Sequence, residues 1–414
     1  MLSLDVKMAW RNIWRNPRRS ILTIAAIAFA SLLLVFMLSW QFGSYATMID
    51  AVVKVQTGHL QVQAKGYNED REMRQVVPNP GAITSRLDHI PEVSAWTSRG
   101  QAFVLAASAQ RTYGALVTGI DPGREKLVSR VRDFVREGKY LDNLEPYSAL
   151  VGSLLAGNLK IGLGDEVTLL GQGRDGSTAA TVVNVRGIFR SGQDELDRNT
   201  LYISLPAFQE TFSMGKAVHE IVILADDLEH IPQIRQYLQE DIAAGGEYGE
   251  LVVLTWSELM PGVLQSIKMD LVSGFIFYLI LIVIIAFSIL NTFLMVLFER
   301  TREFGVLLAL GTTPGRLSRL LLVESTTMTL LGVIIGVVLG SLVTTYFEAH
   351  GIVIAGTGDM LRQFGLPERM YPELSVLSIM IGSGIVLVIT LLTALYPAHK
   401  VKKLEPVEAM AANK

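Results

Sequence analysis

The sequence predicts a membrane α+β protein. Four transmembrane helices, one followed by three, flank a large mixed α+β extracytoplasmic domain that sits between the first and second spans. Three observations carry this prediction. Four apolar blocks are each long enough to cross a bilayer; residues 44–269 between the first two have the composition of a soluble domain; and basic residues gather on one side of every block. Half of the 414 residues are hydrophobic and only 18% are charged, against about a quarter charged in soluble domains. The net charge of −3 excludes a generally basic nucleic-acid binder. With no cysteine, disulfides, thiolate metal sites and cysteine nucleophiles are excluded.

The blocks run from Ile21 to Phe42, Leu271 to Phe298, Leu320 to Phe347 and Leu374 to Tyr396. Each reaches the ~20 residues that a bilayer demands of a helix. The first is too long for the apolar core of a signal peptide, which spans about 7–15 residues, so it reads as a retained anchor. Lys7, Arg11, Arg15, Arg18 and Arg19 precede it. Arg300, Arg302, Arg316 and Arg319 lie between blocks two and three, and Lys400, Lys402 and Lys403 follow block four. The positive-inside rule then makes both termini and the 299–319 loop cytoplasmic. The resulting segments are an interfacial amphipathic helix at 1–19, spans at 20–43, 270–298, 320–347 and 374–397, the domain at 44–269, a coupling helix and turn at 299–319, an external loop at 348–373 and a tail at 398–414.

The N-terminal segment carries Leu2, Val6, Trp10 and Ile13 at helical spacing and Lys7, Arg11 and Arg15 on another face. A basic amphipathic helix with tryptophans lies in the membrane plane, and Pro17 predicts an elbow at Asn16.

In the domain, strands are predicted at 58–63, 101–107, 113–119, 201–204, 219–224 and 251–255, and helices at 82–90, 127–136 and 231–242. A hairpin joins 167–170 to 180–189. An inserted subdomain is expected at about 140–215. Six scattered histidines lack metal-ligand spacing and read as surface or satisfied core residues. Gly171–Thr178 has Walker-like glycines without the lysine that would reach a phosphate, so it predicts a turn. Asp194, Glu195 and Asp197, beside Arg190 and Arg198, predict a solvated loop. No catalytic residues and no metal site are predicted.

Span three contains Gly332, Gly336 and Gly340 at four-residue spacing, which predicts close helix packing. Glu324, near its start, is either a functional group or an interfacial one. Asn291 predicts a helix–helix hydrogen bond. In the 299–319 loop, a short helix is expected to end at Gly311 as a left-handed C′ residue, with Thr313 capping the next helix before Pro314. Its apolar residues, exposed on a cytoplasmic helix, call for a covering protein.

The run Glu299-Arg300-Thr301-Arg302-Glu303-Phe304-Gly305-Val306-Leu307-Leu308-Ala309-Leu310-Gly311 resembles the E-R-x-x-E-x-G-x-L-x-A-x-G signature of the FtsX-like/MacB-type (type VII) ABC permeases. Tyr396–Ala409 is similar to that family's C-terminal ending, with Val401 in place of alanine and Met410 in place of leucine. Val151–Val167 is similar to its extracytoplasmic domain. Within the family, length and layout resemble the lipoprotein-releasing LolC/LolE group most. The resemblance implies a non-enzymatic permease in a bacterial inner membrane with a periplasmic domain. It implies partners in ABC ATPase subunits, which would hold ATP and Mg, and in a second permease copy or paralogue. It implies ATPase coupling through Glu299, Arg300, Arg302, Glu303, Gly305, Leu308, Ala309 and Gly311. Lipoprotein cargo would enter past Met37, Trp40, Phe42, Phe275 and Tyr278, residues chosen by depth alone. A periplasmic adaptor with MacB-like efflux, or non-transport signalling to a hydrolase, are the alternatives.

Overall fold

The computed structural model describes residues 2–15, 17–244, 250–353, 356, 358, 361 and 369–402. Two compact units emerge: Met1–Ala46 with Ile267–Val353 and Arg369–Lys414, and Thr47–Ser266 with Ile354–Glu368. The expected elbow residue Asn16 and the tail beyond 402 lie outside the described residues.

In the first unit, the helices Pro17–Val52, Pro261–Ala309, Pro314–His350 and Val376–Lys402 are long and apolar enough to cross a membrane. Span one packs against spans three and four through small residues. A Cβ added at Gly332 would lie 2.7 Å from the Ile27 Cβ, and one at Gly336 would meet the Ala28 carbonyl and lie 2.6 Å from the Ser31 Cβ. A Cβ at Gly340 would be 3.2 Å from the Leu32 Cα, and one at Gly382 on span four 3.0 Å from the Val35 amide. With no hydrophobic gain between helices in lipid, such backbone approach supplies the attraction by dispersion. Ser39 Oγ donates to Ser378 Oγ at 2.9 Å, which satisfies both hydroxyls between spans one and four. Asn291 is exposed and makes no helix–helix hydrogen bond among the described residues, contrary to the expectation.

The N-terminal helix Leu2–Arg15 buries Ala9 and Ile13 and leaves Trp10 and Trp14 about half exposed. Trp10 therefore does not share the buried face with Ile13. Ile13 joins a core with Ile27 and Met328, while the side chains of Leu2 and Val6 lie outside the described residues.

The second unit is built on one ten-stranded sheet. Its strands are β1 Leu60–Ala64, β2 Val93–Ala107, β3 Thr112–Ile120, β4 Val135–Gly138, β5 Ser148–Gly152, β6 Glu166–Gln172, β7 Thr178–Phe189, β8 Thr200–Ser204, β9 Glu220–Ala225 and β10 Leu251–Thr255. The order is β10-β1-β9-β2-β3-β8-β5-β7-β4, with β6 paired to both β2 and β7. The strands β5 to β8, which fall within 140–215, pair into this same sheet. The fifteen-residue β2 pairs with β9 through its first half and with β6 through its end, so one strand serves both halves of the sheet. β3 then continues directly to β8.

Strand alternation sorts the two faces. Even residues of β2, among them Ala102, Val104 and Ala106, enter a core with Leu155, Phe208 and Phe212. On the same face, Leu60, Val62, Ile221 and Ile223 pack with Ile83, Ile234 and Leu238 of the flanking helices Pro80–Leu87 and Ile231–Ala244. Odd residues of β2 point to the opposite face.

The predicted helix over 127–136 is not present. The helix Pro122–Val128 ends where Ser129 turns extended, and a tight 3₁₀ turn at Val131–Phe134 leads into β4. The helical spacing of Leu127, Val128, Val131 and Phe134 is outweighed by edge pairing of β4 with β7. The acidic run is exposed at Asp194 and Glu195, as expected, but it is not a loop. It forms the helix Asp194–Asn199, and buried Asp197 accepts from the Ser191 amide at 2.8 Å and the Ser191 hydroxyl at 2.7 Å.

His219 is fully buried. Its Nδ1 accepts the Gln101 amide at 2.9 Å, and its ring stacks on Tyr67. Burial lowers its pKa to about 4. The unfolded chain then binds a proton that the folded chain refuses between about pH 6.5 and 4. Stability is expected to fall by up to about 3 kcal/mol as pH drops through that window. A His219→Gln variant should show a flatter dependence of its melting temperature between those pH values. An unchanged slope would assign the acid sensitivity elsewhere.

Candidate functional site

The end of span two and its neighbours hold a linked set of charges. Arg300 Nη1 donates to both carboxylate oxygens of Glu324, at 3.0 and 2.9 Å. The two side chains are only 14% and 7% exposed. Arg300 Nε also approaches Glu303 Oε2 at 3.4 Å, and Glu303 Oε1 accepts from Arg15 Nη2 at 2.8 Å. The series Arg15–Glu303–Arg300–Glu324 thus ties the N-terminal helix, the end of span two and the start of span three. Each carboxylate is met by an arginine, which a buried charge requires.

Beneath these charges lies an apolar cluster of Leu297, Phe304, Leu317, Leu321, Ala398 and Val401, with Leu308 packed against it. It joins the ends of spans two, three and four. Lys400 stands 4.6 Å above the Phe298 ring, and Arg300 lies 5.2 Å from that of Phe304. Val401 is fully buried here, so the larger residue in place of the usual alanine fills core space.

The predicted coupling helix is not a separate element. Residues 299–309 complete the unbroken helix Pro261–Ala309, because no proline occurs from Gly262 to Ala309. The helix stops at Gly311, whose φ is +94°. The Gly311 amide donates to the Leu308 carbonyl and the Thr312 amide to the Leu307 carbonyl, both at 3.0 Å. This is a Schellman closure. Thr313 occupies the N-cap position of the next helix without a side-chain capping bond, leaving Pro314 to set the first turn.

Glu299, Arg302, Glu303 and Ala309 line the same helix end, and Gly305 is buried on its inner side. Val306, Leu307 and Leu310 are exposed, Leu310 to 78%. The helix end therefore offers an apolar tip beside charged residues, fixed to its neighbours by the Arg300–Glu324 pair. Sequence reading placed Arg300 in the coupling segment and left Glu324 undecided. Their pairing across 24 residues depends on the register of two helices.

The residues chosen by depth do not form one group. Tyr278 donates to the Met37 carbonyl at 3.2 Å, which brings spans one and two together. Trp40 and Phe42 are half-buried on span one, and Phe275 is exposed.

Residues 20–241 match the MacB-like periplasmic core domain, and residues 275–406 match the FtsX-like permease C-terminal domain. The lipoprotein-releasing system transmembrane protein LolC of Xylella fastidiosa is 25% identical over 316 residues, 73% of this chain and 74% of that one. The corresponding LolE protein of Haemophilus influenzae is 22% identical over 344 residues, 80% of each chain. The macrolide export ATP-binding/permease protein MacB of Chlorobaculum tepidum is 34% identical over 123 residues, 30% of this chain and 16% of that one. The first family match takes in nine of the ten strands and the second takes in the clasped helix end. The chain belongs to the family of FtsX-like permeases with a MacB-like periplasmic core, and is a permease of an ABC transporter of the LolC, LolE and MacB type.

Proposed function

We propose that this permease lifts lipoproteins from the outer leaflet of the inner membrane, driven by ATP hydrolysis on separate ATPase subunits. The observation that carries the reading is the likeness to LolC across 73% of the chain, through spans and domain alike. In this reading both termini are cytoplasmic, as the basic flanks imply. The apolar tip Val306, Leu307 and Leu310 seats in an ATPase groove, and Arg302 and Glu303 border the contact. Glu299, Gly305, Leu308, Ala309 and Gly311 shape the helix end that presents it. The acyl chains enter beside span two, near Phe275.

A mild-detergent pulldown of the tagged protein, read by proteomics that detects lipid modification, tests the proposal. An ABC ATPase together with a triacylated lipoprotein is the expected result. An ATPase accompanied instead by a periplasmic adaptor would replace lipoprotein release by efflux, and a hydrolase in its place would replace it by signalling.

The coupling role has its own test. Glu303→Lys places a third cation between Arg15 and Arg300, whose contacts with Glu303 are 2.8 and 3.4 Å. We predict a protein that still inserts and recruits the ATPase but whose hydrolysis no longer responds to cargo. Cargo-stimulated ATPase activity equal to wild type would sink this role for the helix end.

A further inference from the structure

The face of the sheet opposite the main core contains a cavity of about 350 Å³. That is the size of a small-ligand pocket. Its floor is polar. β1 contributes Gln61 and Gln63, β2 contributes Arg99 and Gln101, and β9 contributes Glu220. Cross-strand register sets Gln63, Glu220 and Arg99 in one row, with Gln101 two residues further along β2 on the same face.

Two of these groups are unmatched. Gln63 is 1% exposed, and its Nε2 has no hydrogen-bond partner among the described residues. The Oε1 of Gln101 is likewise without one, as is the hydroxyl of Thr57 at the cavity wall. A buried polar atom without a partner is costly, so several around one cavity point to an occupant that supplies the missing bonds. An amide nitrogen only donates and an amide oxygen only accepts. Gln63 therefore lacks an acceptor and Gln101 a donor, the pair that a peptide group presents, while the Thr57 hydroxyl can take either.

Charge narrows the occupant further. Arg99 is held by Glu125 through two bonds, Nε to Oε2 at 3.1 Å and Nη2 to Oε1 at 2.6 Å. Glu220 lies on the floor, and Glu195 and Arg71 also line the cavity. With Glu125 counted beside the Arg99 it pairs, the site holds three acids and two bases, which disfavours an anionic guest. From the cavity, an apolar strip continues along the same face. Phe103 follows Gln101 by two residues and lines the cavity, Leu105 pairs with Leu170, and Val182 pairs with Thr168 next along β6. All four apolar side chains are exposed.

We infer that this cavity binds an extended, uncharged peptide segment, whose main-chain amide bonds to Gln63 and Gln101 and whose apolar side chains lie on Phe103 and Leu105. The site is independent of the identity of the transported cargo.

Saturation-transfer NMR on the full-length protein in nanodiscs tests this, with acetyl-trialanine-amide as the probe and maltose as the comparator. The blocked tripeptide should bind saturably and in preference to maltose. Gln63→Leu and Gln101→Leu should each weaken it about tenfold, the loss of one buried hydrogen bond. If either variant unfolds, the same tripeptide with N-methylated amides, tested on the unaltered protein, should also bind about tenfold more weakly. Preferential binding of maltose would assign the cavity to carbohydrate. No saturable binding of the tripeptide, or equal binding of its N-methylated form, would overturn the inference.

Discussion

Replacing Glu324 by alanine should destabilise the membrane unit by about 3–5 kcal/mol, the cost of breaking a buried ion pair by removing one partner. Arg300 would keep only its longer contact with Glu303, at 3.4 Å, and would face the apolar cluster around Phe304 and Leu321. The paired substitution Arg300→Met with Glu324→Leu removes both charges together. It should recover most of the loss, because a buried pair replaced by apolar residues of similar volume is often neutral or stabilising. Detergent melting of this double variant and of Arg300→Met and Glu324→Leu made singly closes a double-mutant cycle. The same proteins separate stability from coupling. If the pair passes force between spans two and three, the doubly substituted protein will be stable yet will not couple ATPase turnover to cargo. Full coupling in that protein would reduce the pair to a structural brace.

Gly336→Leu should have an effect of similar size by a different route. The added Cβ would meet the Ala28 carbonyl and lie 2.6 Å from Ser31, so the obstacle is partly backbone and cannot rotate away. Spans one and three would have to separate, and the approaches at Gly332 and Gly340 would go with them. Overpacking a tight core costs about 1–3 kcal/mol where side chains can adjust; backbone contact places this substitution at or above the top of that range. Gly384→Leu is the matched control, since nothing lies within 4 Å of its added Cβ. The first variant should give poor yield and an early melt, and the second should behave as wild type. Equal melting of the two would show that spans one and three are not held by this contact.

How much was legible in the sequence follows from the range of each signal. Spans are written in uninterrupted apolar length, and the glycine ridge of span three in its four-residue spacing; both are local. The turn at Gly311 was equally legible, because a positive φ selects glycine. The Arg300–Glu324 pair was not, since neither residue shows which face the other helix presents. The segment 127–136 misled because its apolar spacing suits a helix while β7 offers an edge that only the folded sheet reveals. The polar cavity was hidden for the same reason. Gln63, Gln101 and Glu220 stand far apart in the chain and become neighbours only through the order β1-β9-β2. Phe275 and Trp40 were grouped by depth, which carries no information about azimuth around a helix.

The unbroken helix Pro261–Ala309 has a mechanical consequence. At 49 residues it is a rod of about 74 Å, more than twice the ~30 Å hydrocarbon thickness. Rocking such a rod about its midpoint by about 10° would sweep each tip through roughly 6 Å. If the Ala309 end meets an ATPase as proposed, a small change of angle there would become a displacement of several ångströms at the far end, with no bond in between needing to break. A flexible break inserted midway, such as a pair of glycines, would absorb that rotation as bending. The lever would then idle while its two halves remained correctly folded.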